Sequence, residues 1–355
     1  MTKSPGLRKR MALKTTSTRM SDLPVEKLLE RTQIYLDRFD FSSALRYVSA
    51  AISKEPDNIH ALELQAAALL ELGEVDQAFQ VLKKCVDISP TTGHDKFLTL
   101  GQLHAGHEAL GFFRRGVEVL QSDLQIAPAE YHPGLIRQLS SAFCTMAEIY
   151  LTDCCDDDDA EQQCVTLVEQ AIQADPTNPE AFLMQCSLRI SQEDPSGAGA
   201  ALDQCLSLWY VPTINQEANN ASDEGADDPD GGALEVDSAH HADLPAFELR
   251  MQAVKLLLEL GRHEVGLDIA EQLISEDDEV IGVWYLAGWA AYLLGDLPHA
   301  LEFLTQALTL YKTLGSDEEE LLEHATELVA ELQSKGVTVA DAGAEDGDSD
   351  NEMEE

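Results

Sequence analysis

The sequence has few basic residues and many acidic ones. Its 355 residues include 23 lysines and arginines against 65 aspartates and glutamates, which gives a formal net charge of −42. Such a surface repels phosphate groups, so nucleic acid and anionic membranes are poor partners. A basic protein would be attracted and steered toward it. The alternative is that acidity only keeps the chain soluble, but a charge of this size favours a basic protein as the partner.

The signatures of common enzymes and cofactor sites are also missing. Neither GxGxxG nor the GxxxxGK loop is present, and neither GxSxG nor HExxH occurs. Without paired CxxC motifs, a zinc site is not expected. His104 and His107 could share one helical face, but such a pair without neighbouring ligands is more often a surface feature. We therefore predict no catalytic, cofactor-binding or metal-binding residue, and no enzyme.

Long apolar runs are absent, so neither a membrane span nor a secretory signal is expected. Residues 1–19 instead carry six basic and no acidic side chains. Within them, 7–10 could act as a nuclear import signal, whereas 15–19 resembles part of a mitochondrial presequence, and an unstructured tail is the third alternative. We expect a protein of the cytoplasm and nucleus, where basic clients are abundant. Seven cysteines, an odd number, suit such a reducing compartment.

Small residues and prolines recur at a fixed interval. A small residue is followed twelve residues later by a proline, and the first two units are offset by 34 residues. In a helical hairpin, a small residue near the start of the second helix lets the first helix approach closely. A proline just past the helix end stops further winding. The four pairs are Ala44 with Pro56, Ala78 with Pro90, Gly116 with Pro128, and Cys164 with Pro176.

The C-terminal third shows a related pattern. Gly295 is predicted to end a first helix, and Ala300 is predicted to begin the close contact of a second helix. The same turn-to-small-residue spacing separates Gly73 from Ala78. Residues 317–334 have an acidic start and an amphipathic pattern, as expected for a helix that caps a repeat array.

These residues resemble the tetratricopeptide repeat, a helix–turn–helix unit of about 34 residues. The resemblance implies an all-α fold, a tetratricopeptide-repeat superhelical solenoid of about seven helical hairpins with a C-terminal capping helix. The predicted organisation is a basic disordered tail (1–22), hairpins one to five (23–212), an acidic disordered loop (213–244), hairpins six and seven with the capping helix (245–335), and an acidic disordered tail (336–355).

In such arrays the first helix of each hairpin lines the inside of the superhelix and forms an extended groove. The predicted inward positions combine acids with aromatics, which suits an Arg/Lys-rich segment through charged hydrogen bonds and cation–π contacts. The alternative is that the aromatics pack against the next helices and the acids are a solvated face. The predicted protein-binding groove contains Glu26, Glu30, Gln33, Asp37, Glu63, Glu71, Tyr285, Trp289 and Tyr292.

Some tetratricopeptide domains grip the acidic C-termini of heat-shock chaperones with a clamp of Lys, Arg and Asn on this face. The resemblance implies that the clamp positions here hold no cation, which disfavours a co-chaperone of that kind. The matching positions are Leu29, Gln33, Glu63, Ala67, Leu98 and Gln102.

An acidic tetratricopeptide array with an acidic C-terminal tail is similar to the dedicated assembly chaperones of large-subunit ribosomal protein number four. The resemblance implies a chaperone that holds a newly made basic ribosomal protein by its long internal extension. It further implies shielding from aggregation and stray RNA, passage into the nucleus, and release onto the pre-ribosome. We expect a monomer in a one-to-one complex with this client, with no direct nucleic-acid or membrane partner.

Two other functions are compatible with the sequence. One family of histone chaperones also interrupts a tetratricopeptide array with acidic sequence, although inside a hairpin, whereas the largest insertion here is predicted between hairpins. A general scaffold or adaptor in a multiprotein complex is the other, and it predicts no preference for basic clients.

Overall fold

A computed structural model describes residues 20–212, 244–314 and 319–338 of the chain. The described residues form fifteen α-helices and two single-turn 3₁₀ helices, with no strand among them. Most of the segments predicted to be disordered fall outside these ranges. The helices are α1 (Val25–Leu36), α2 (Phe41–Lys54), α3 (Ile59–Glu71), α4 (Val75–Ile88), α5 (Asp95–Gln102), α6 (Gly106–Ile126), α7 (His132–Leu151), α8 (Ala160–Ala174), α9 (Pro179–Ser191), α10 (Pro195–Ser207), α11 (Phe247–Glu259), α12 (His263–Glu276), α13 (Ile281–Leu294), α14 (Leu297–Leu314) and α15 (Glu319–Ser334).

The helices follow one another as seven helix–turn–helix pairs, from α1 with α2 to α13 with α14, and α15 remains as a single last helix. This arrangement confirms the predicted all-α class, the seven hairpins and the capping helix. None of the helices in the described ranges is long and apolar enough to cross a membrane.

The first three hairpins belong to one compact unit, which comprises residues 20–142 and 152–155 of the described chain. Adjacent helices within it pack through residues with almost no exposed surface, among them Leu28, Val48, Ala61 and Leu100. Burial of these apolar side chains supplies the main favourable contribution to folding.

The second unit comprises residues 143–151 and the described chain from 156 onward, so the division falls within α7. One cluster of buried residues in it joins α9 and α10 to α11, α12 and α13. Leu202, Leu257, Ile269 and Val283 are fully or almost fully buried in this cluster.

Most of the small residues and all of the prolines lie at the helix positions that their spacing predicts. Ala44, Ala78 and Cys164 lie in the first turns of α2, α4 and α8, and all three are completely buried. Each of the four prolines stands two residues beyond the end of a second helix. Gly116 differs, because α6 begins ten residues before it, so this glycine lies in the middle of its helix. A Cβ at Gly116 would come within 2.7 Å of Leu98 Cδ2, so α5 and α6 do meet closely there.

Five of the hairpin turns have the same backbone geometry. One of the first three residues after the first helix has a positive φ, and the N–H of the residue that follows it bonds to a carbonyl five residues earlier, as in a Schellman motif. Glycine tolerates this left-handed conformation best. The five positions are Phe39, Gly73, Glu193, Gly261 and Gly295.

Candidate protein-binding surface

The first helix presents a row of polar side chains to solvent. Glu26, Glu30, Gln33 and Asp37 are all exposed along α1, as the predicted groove requires. Glu30 is paired with Lys27, and Gln33 Nε2 donates a hydrogen bond of 2.8 Å to Asp37 Oδ1. The opposite face of α1 is apolar and buried, so the amphipathic pattern of this helix determines which side chains remain available.

The first helix of the second hairpin contributes Glu63 and Glu71, which differ in their surroundings. Glu71 is exposed at the end of α3, whereas Glu63 is half-buried. Burial raises the pKa of Glu63, and the nearby charge of Lys96 partly opposes that shift. The charge of Glu63 therefore interacts with a buried lysine, in addition to any role on the surface.

Lys96 is a buried cation that the sequence did not reveal. Only 1% of its surface is exposed, and its Nζ donates to the Thr92 carbonyl. Burial lowers the pKa of Lys96, and the charge of Glu63 opposes the shift. Because this cation lies inside the first unit, it does not restore the cationic clamp whose absence the sequence indicated.

A second buried cation stands close to Lys96. His94 is 8% exposed, and its ring nitrogens lie 3.0 Å from Asp123 Oδ2 and 2.9 Å from Gln138 Oε1. Burial alone would lower the pKa of His94, but the contacts with Asp95 and Asp123 outweigh burial and raise the pKa to about 9. Both nitrogens then act as donors, and the imidazolium ties α6 and α7 to the start of α5.

The aromatic part of the predicted groove contacts the capping helix. Tyr285 Oη lies 2.6 Å from His324 Nδ1, and the Trp289 and His324 rings meet edge to face at 5.9 Å. Tyr292 Oη donates a hydrogen bond of 2.8 Å to Glu331 Oε1. All three aromatic residues are half-buried. These contacts match the alternative in which the aromatics pack against the next helix, and client contact at these positions stays a prediction.

His104, one of the two helically spaced histidines, is packed as an aromatic ring. Its Nδ1 lies 2.7 Å from the Leu100 carbonyl, and its ring centroid lies 5.2 Å from that of Phe79 and 4.9 Å from that of Phe112. Since a carbonyl only accepts, Nδ1 carries the proton of this hydrogen bond.

Comparison with known proteins identifies the family. The family model for the tetratricopeptide repeat matches residues 29–91 and 251–314. A Schizosaccharomyces pombe protein described as a probable assembly chaperone of rpl4 is 30% identical over 360 residues, covering 94% of this chain and 99% of that protein. The chain belongs to the rpl4 assembly chaperone family.

Two further relatives agree with membership of the rpl4 assembly chaperone family. An Emericella nidulans protein with the same description is 29% identical over 367 residues, covering 92% of this chain and 87% of that protein. The solved structure of the assembly chaperone of RpL4 (Acl4) superposes with a TM-score of 0.63 at 29% identity, covering 77% of this chain and 98% of that chain. Members of the rpl4 assembly chaperone family are non-enzymatic tetratricopeptide proteins, so the prediction that this chain is not an enzyme is confirmed.

Proposed function

We propose that this protein holds a newly made basic ribosomal protein of the rpl4 kind in an acidic groove and delivers it for assembly of the large ribosomal subunit. The observation that carries the proposal is the exposed acidic face of α1 and α3, in a chain with a net charge of −42. The descriptions of the relatives, which name rpl4, support this choice of client.

The acids of this face differ in how free they are to bind. Glu30 is paired with Lys27, Asp37 accepts from Gln33, and Glu63 faces Lys96. Glu26 and Glu71 are exposed, and no ion pair or side-chain hydrogen bond joins either carboxylate to another residue of the described ranges. These two carboxylates are therefore available to pair with a lysine or arginine of the client.

Charge also provides a route for release. Contacts between exposed carboxylates and a basic client weaken as salt screens them. Ribosomal RNA carries a denser negative charge than the protein surface, so it competes for the same basic segment. We expect RNA of the assembling subunit to displace the chaperone without any chemical step.

The test is a charge reversal at the two free carboxylates. The full chain with Glu26→Lys and Glu71→Lys is titrated with purified rpl4-type ribosomal protein, and binding is measured by calorimetry at low and at raised salt. We expect at least about tenfold weaker binding than for the unmodified chain, because two favourable contacts become repulsive.

A matched control carries the same change in net charge on second helices. Asp87→Lys on α4 and Glu169→Lys on α8 replace two exposed acids outside the proposed groove. Equal weakening by both pairs of substitutions would mean that only net charge matters, and the groove assignment would be wrong. Equally tight binding of core histones by the unmodified chain would favour the histone chaperone alternative.

We also propose a one-to-one complex that moves between cytoplasm and nucleus. Light scattering of the purified complex measures its mass and thereby the ratio of the two chains. Alanine at Arg8, Lys9 and Arg10 removes all three charges of the proposed import segment 7–10. An unchanged nuclear fraction of this variant in cells would contradict a role of these residues in import.

A further inference from the structure

A cleft on the first unit differs from the acidic groove in the charge of its side chains. It measures about 580 Å³ and lies where α4, α5 and α6 meet. Its lining combines aromatic rings with basic side chains, although the chain as a whole is strongly acidic. The lining residues are Phe79, Lys83, Phe97, His104, His107, Glu108, Gly111, Phe112 and Arg115.

The length of α5 accounts for the opening. This helix has 8 residues, whereas the first helices of the other six hairpins have 12 or more. At about 1.5 Å per residue, α5 is shorter by at least one full turn. Side chains of α4 and α6 that a longer helix would cover therefore face the cleft.

Aromatic rings that pack at a tilt to one another form the floor of the cleft. The ring of His104 lies between Phe79 and Phe112, at centroid distances of 5.2 Å and 4.9 Å. Phe97 closes the floor from α5 and is 3% exposed. Because His104 Nδ1 bonds to the Leu100 carbonyl, the ring is held in one orientation. This floor offers a fixed apolar surface to one large side chain, since aromatic rings gain from edge and offset contacts beyond the area they bury.

Two cations stand at the rim. Lys83 Nζ lies 5.3 Å from the Phe79 ring centroid, and no carboxylate in the described part of the chain forms an ion pair with it. The Arg115 guanidinium is positioned by Glu118, at 2.5 Å, and by the Pro90 carbonyl, at 2.9 Å. Glu108 is the one acid among the lining residues. Since Arg115 is already paired with Glu118, Lys83 is the rim cation that is free to pair, and the rim favours a ligand with a carboxylate beside its apolar group.

We propose that this cleft binds an acidic segment of a second partner protein, anchored by one aromatic side chain on the floor of aromatic rings. The basic client of the proposed function is the wrong occupant, since its charges would meet Lys83 and Arg115. The chain's own segments 213–243 and 339–355 are acidic but contain no Phe, Tyr or Trp. A partner that supplies both the acids and the anchor fits the cleft better than either segment does.

Gly111 allows the cleft to be filled without disturbing the fold. It lies on α6, lines the cleft and is exposed, and a Cβ there would meet no heavy atom within 4 Å. Gly111→Leu should therefore project into the cleft, and replacing a helical glycine should not destabilise α6. Gly134→Leu is the matched control, since Gly134 is an exposed glycine of α7 with equally open surroundings.

The probe is a displayed library of short random peptides, selected on the full-length protein and counter-selected on the Gly111→Leu variant. Recovered peptides are synthesised and titrated by fluorescence anisotropy against the unmodified chain and the Gly111→Leu, Gly134→Leu and Lys83→Glu variants. We expect peptides rich in Asp and Glu around one Trp, Phe or Tyr. Their affinity should fall at least about tenfold for Gly111→Leu and for Lys83→Glu, and should be unchanged for Gly134→Leu.

Three results would overturn the proposal. The selection could return no peptide that distinguishes Gly111→Leu from the unmodified chain, or only apolar peptides that Lys83→Glu binds equally well. It could also return a motif that matches 339–355, which would make a second copy or the chain's own tail the occupant. Binding of the basic ribosomal protein should be unaffected by Gly111→Leu, so failure of this proposal is distinguishable from failure of the proposed function.

Discussion

The side-chain ends of Glu63 and Lys96 both lie close to Gly93. A Cβ at Gly93 would lie 3.6 Å from Glu63 Oε1 and 3.2 Å from Lys96 Nζ. Lys96 is almost completely buried, and the charge of Glu63 is the largest influence that opposes the burial effect on its pKa. Glu63 therefore compensates an internal cation, which distinguishes it from the freely exposed Glu26 and Glu71.

Removing the charge of Glu63 should destabilise the first unit. In Glu63→Gln, the buried ammonium of Lys96 loses its main compensating charge, and such losses are costly because the remaining charge is poorly solvated. We expect unfolding in urea, followed by circular dichroism, to show a loss of roughly 1–3 kcal/mol. Glu71→Gln should change the stability by less than about 0.5 kcal/mol.

The second substitution Lys96→Met tests the cause of this loss. If compensation of Lys96 is the reason, Glu63→Gln should destabilise the Lys96→Met background much less than the unmodified chain. Equal losses in both backgrounds would contradict the ionic contact. The result also affects how client binding is interpreted. Weaker binding of the client by a Glu63 variant would combine the loss of a contact with the client and the lower stability of the first unit.

Phe39 occupies a turn position where three other hairpins have glycine. Its φ is 59°, and its side chain is 80% exposed. A left-handed conformation costs a side-chain-bearing residue about 1–2 kcal/mol relative to glycine. Phe39 contacts Phe41 edge to face at 6.2 Å, but this contact leaves most of its ring in solvent.

Phe39→Gly should therefore stabilise the first hairpin. We expect a gain of about 0.5–1 kcal/mol, because relief of the backbone strain exceeds the added flexibility of glycine in the unfolded chain. Hydrogen exchange of the α1 and α2 amides measures the effect locally. Gly73→Ala, at the equivalent position of the second hairpin, should act in the opposite direction. Faster exchange in Phe39→Gly would show that the exposed ring contributes more than its contacts indicate.

The fold was predictable because its signals are local and repeated. Each unit places a buried small residue, such as Ala44 or Ala78, at a fixed distance before a proline that follows the helix end. A repeat array depends mainly on contacts between neighbouring units, so a short periodic pattern suffices to identify it. The capping helix was predictable for the same reason, since its amphipathic pattern and acidic start lie within one segment.

The candidate site was less predictable because its surroundings come from distant parts of the chain. Helical spacing placed Tyr285 and Tyr292 on one face, but their partners His324 and Glu331 are both 39 residues later. The burial of Lys96 likewise depends on packing between helices, and no local pattern marks a lysine that will be enclosed. The sequence also did not reveal that α5 has only 8 residues.

Gly288 provides a test of the close contact inside the seventh hairpin. A Cβ there would lie 2.7 Å from Leu304 Cγ and 3.1 Å from the Leu304 backbone nitrogen, so both side chain and backbone of α14 would have to move. Gly288→Ala should cost about 1–3 kcal/mol in thermal or urea unfolding, as expected when a packed core is overfilled. Gly282→Ala on the same helix is the control, since its Cβ would meet Met251 Sδ at an ordinary 3.8 Å. Equal stability of the two variants would contradict the close approach of α13 and α14.

The buried imidazolium of His94 should make stability depend on pH in a specific window. The pKa of His94 is raised to about 9 by Asp95 and Asp123, above its value of 6.5 in an unfolded chain. The folded state therefore binds the proton more tightly, and the resulting stabilisation is complete below pH 6.5 and lost as the pH rises through about 9. We expect the stability difference between the unmodified chain and His94→Gln to shrink by roughly 2–3 kcal/mol across this window. His299→Gln serves as the comparison, because Asp296 also raises the pKa of His299, but this ion pair is exposed and screened by solvent, so its pH dependence should be much smaller. A difference for His94→Gln that is constant from pH 6 to about 9 would mean that the ring is neutral in the folded protein.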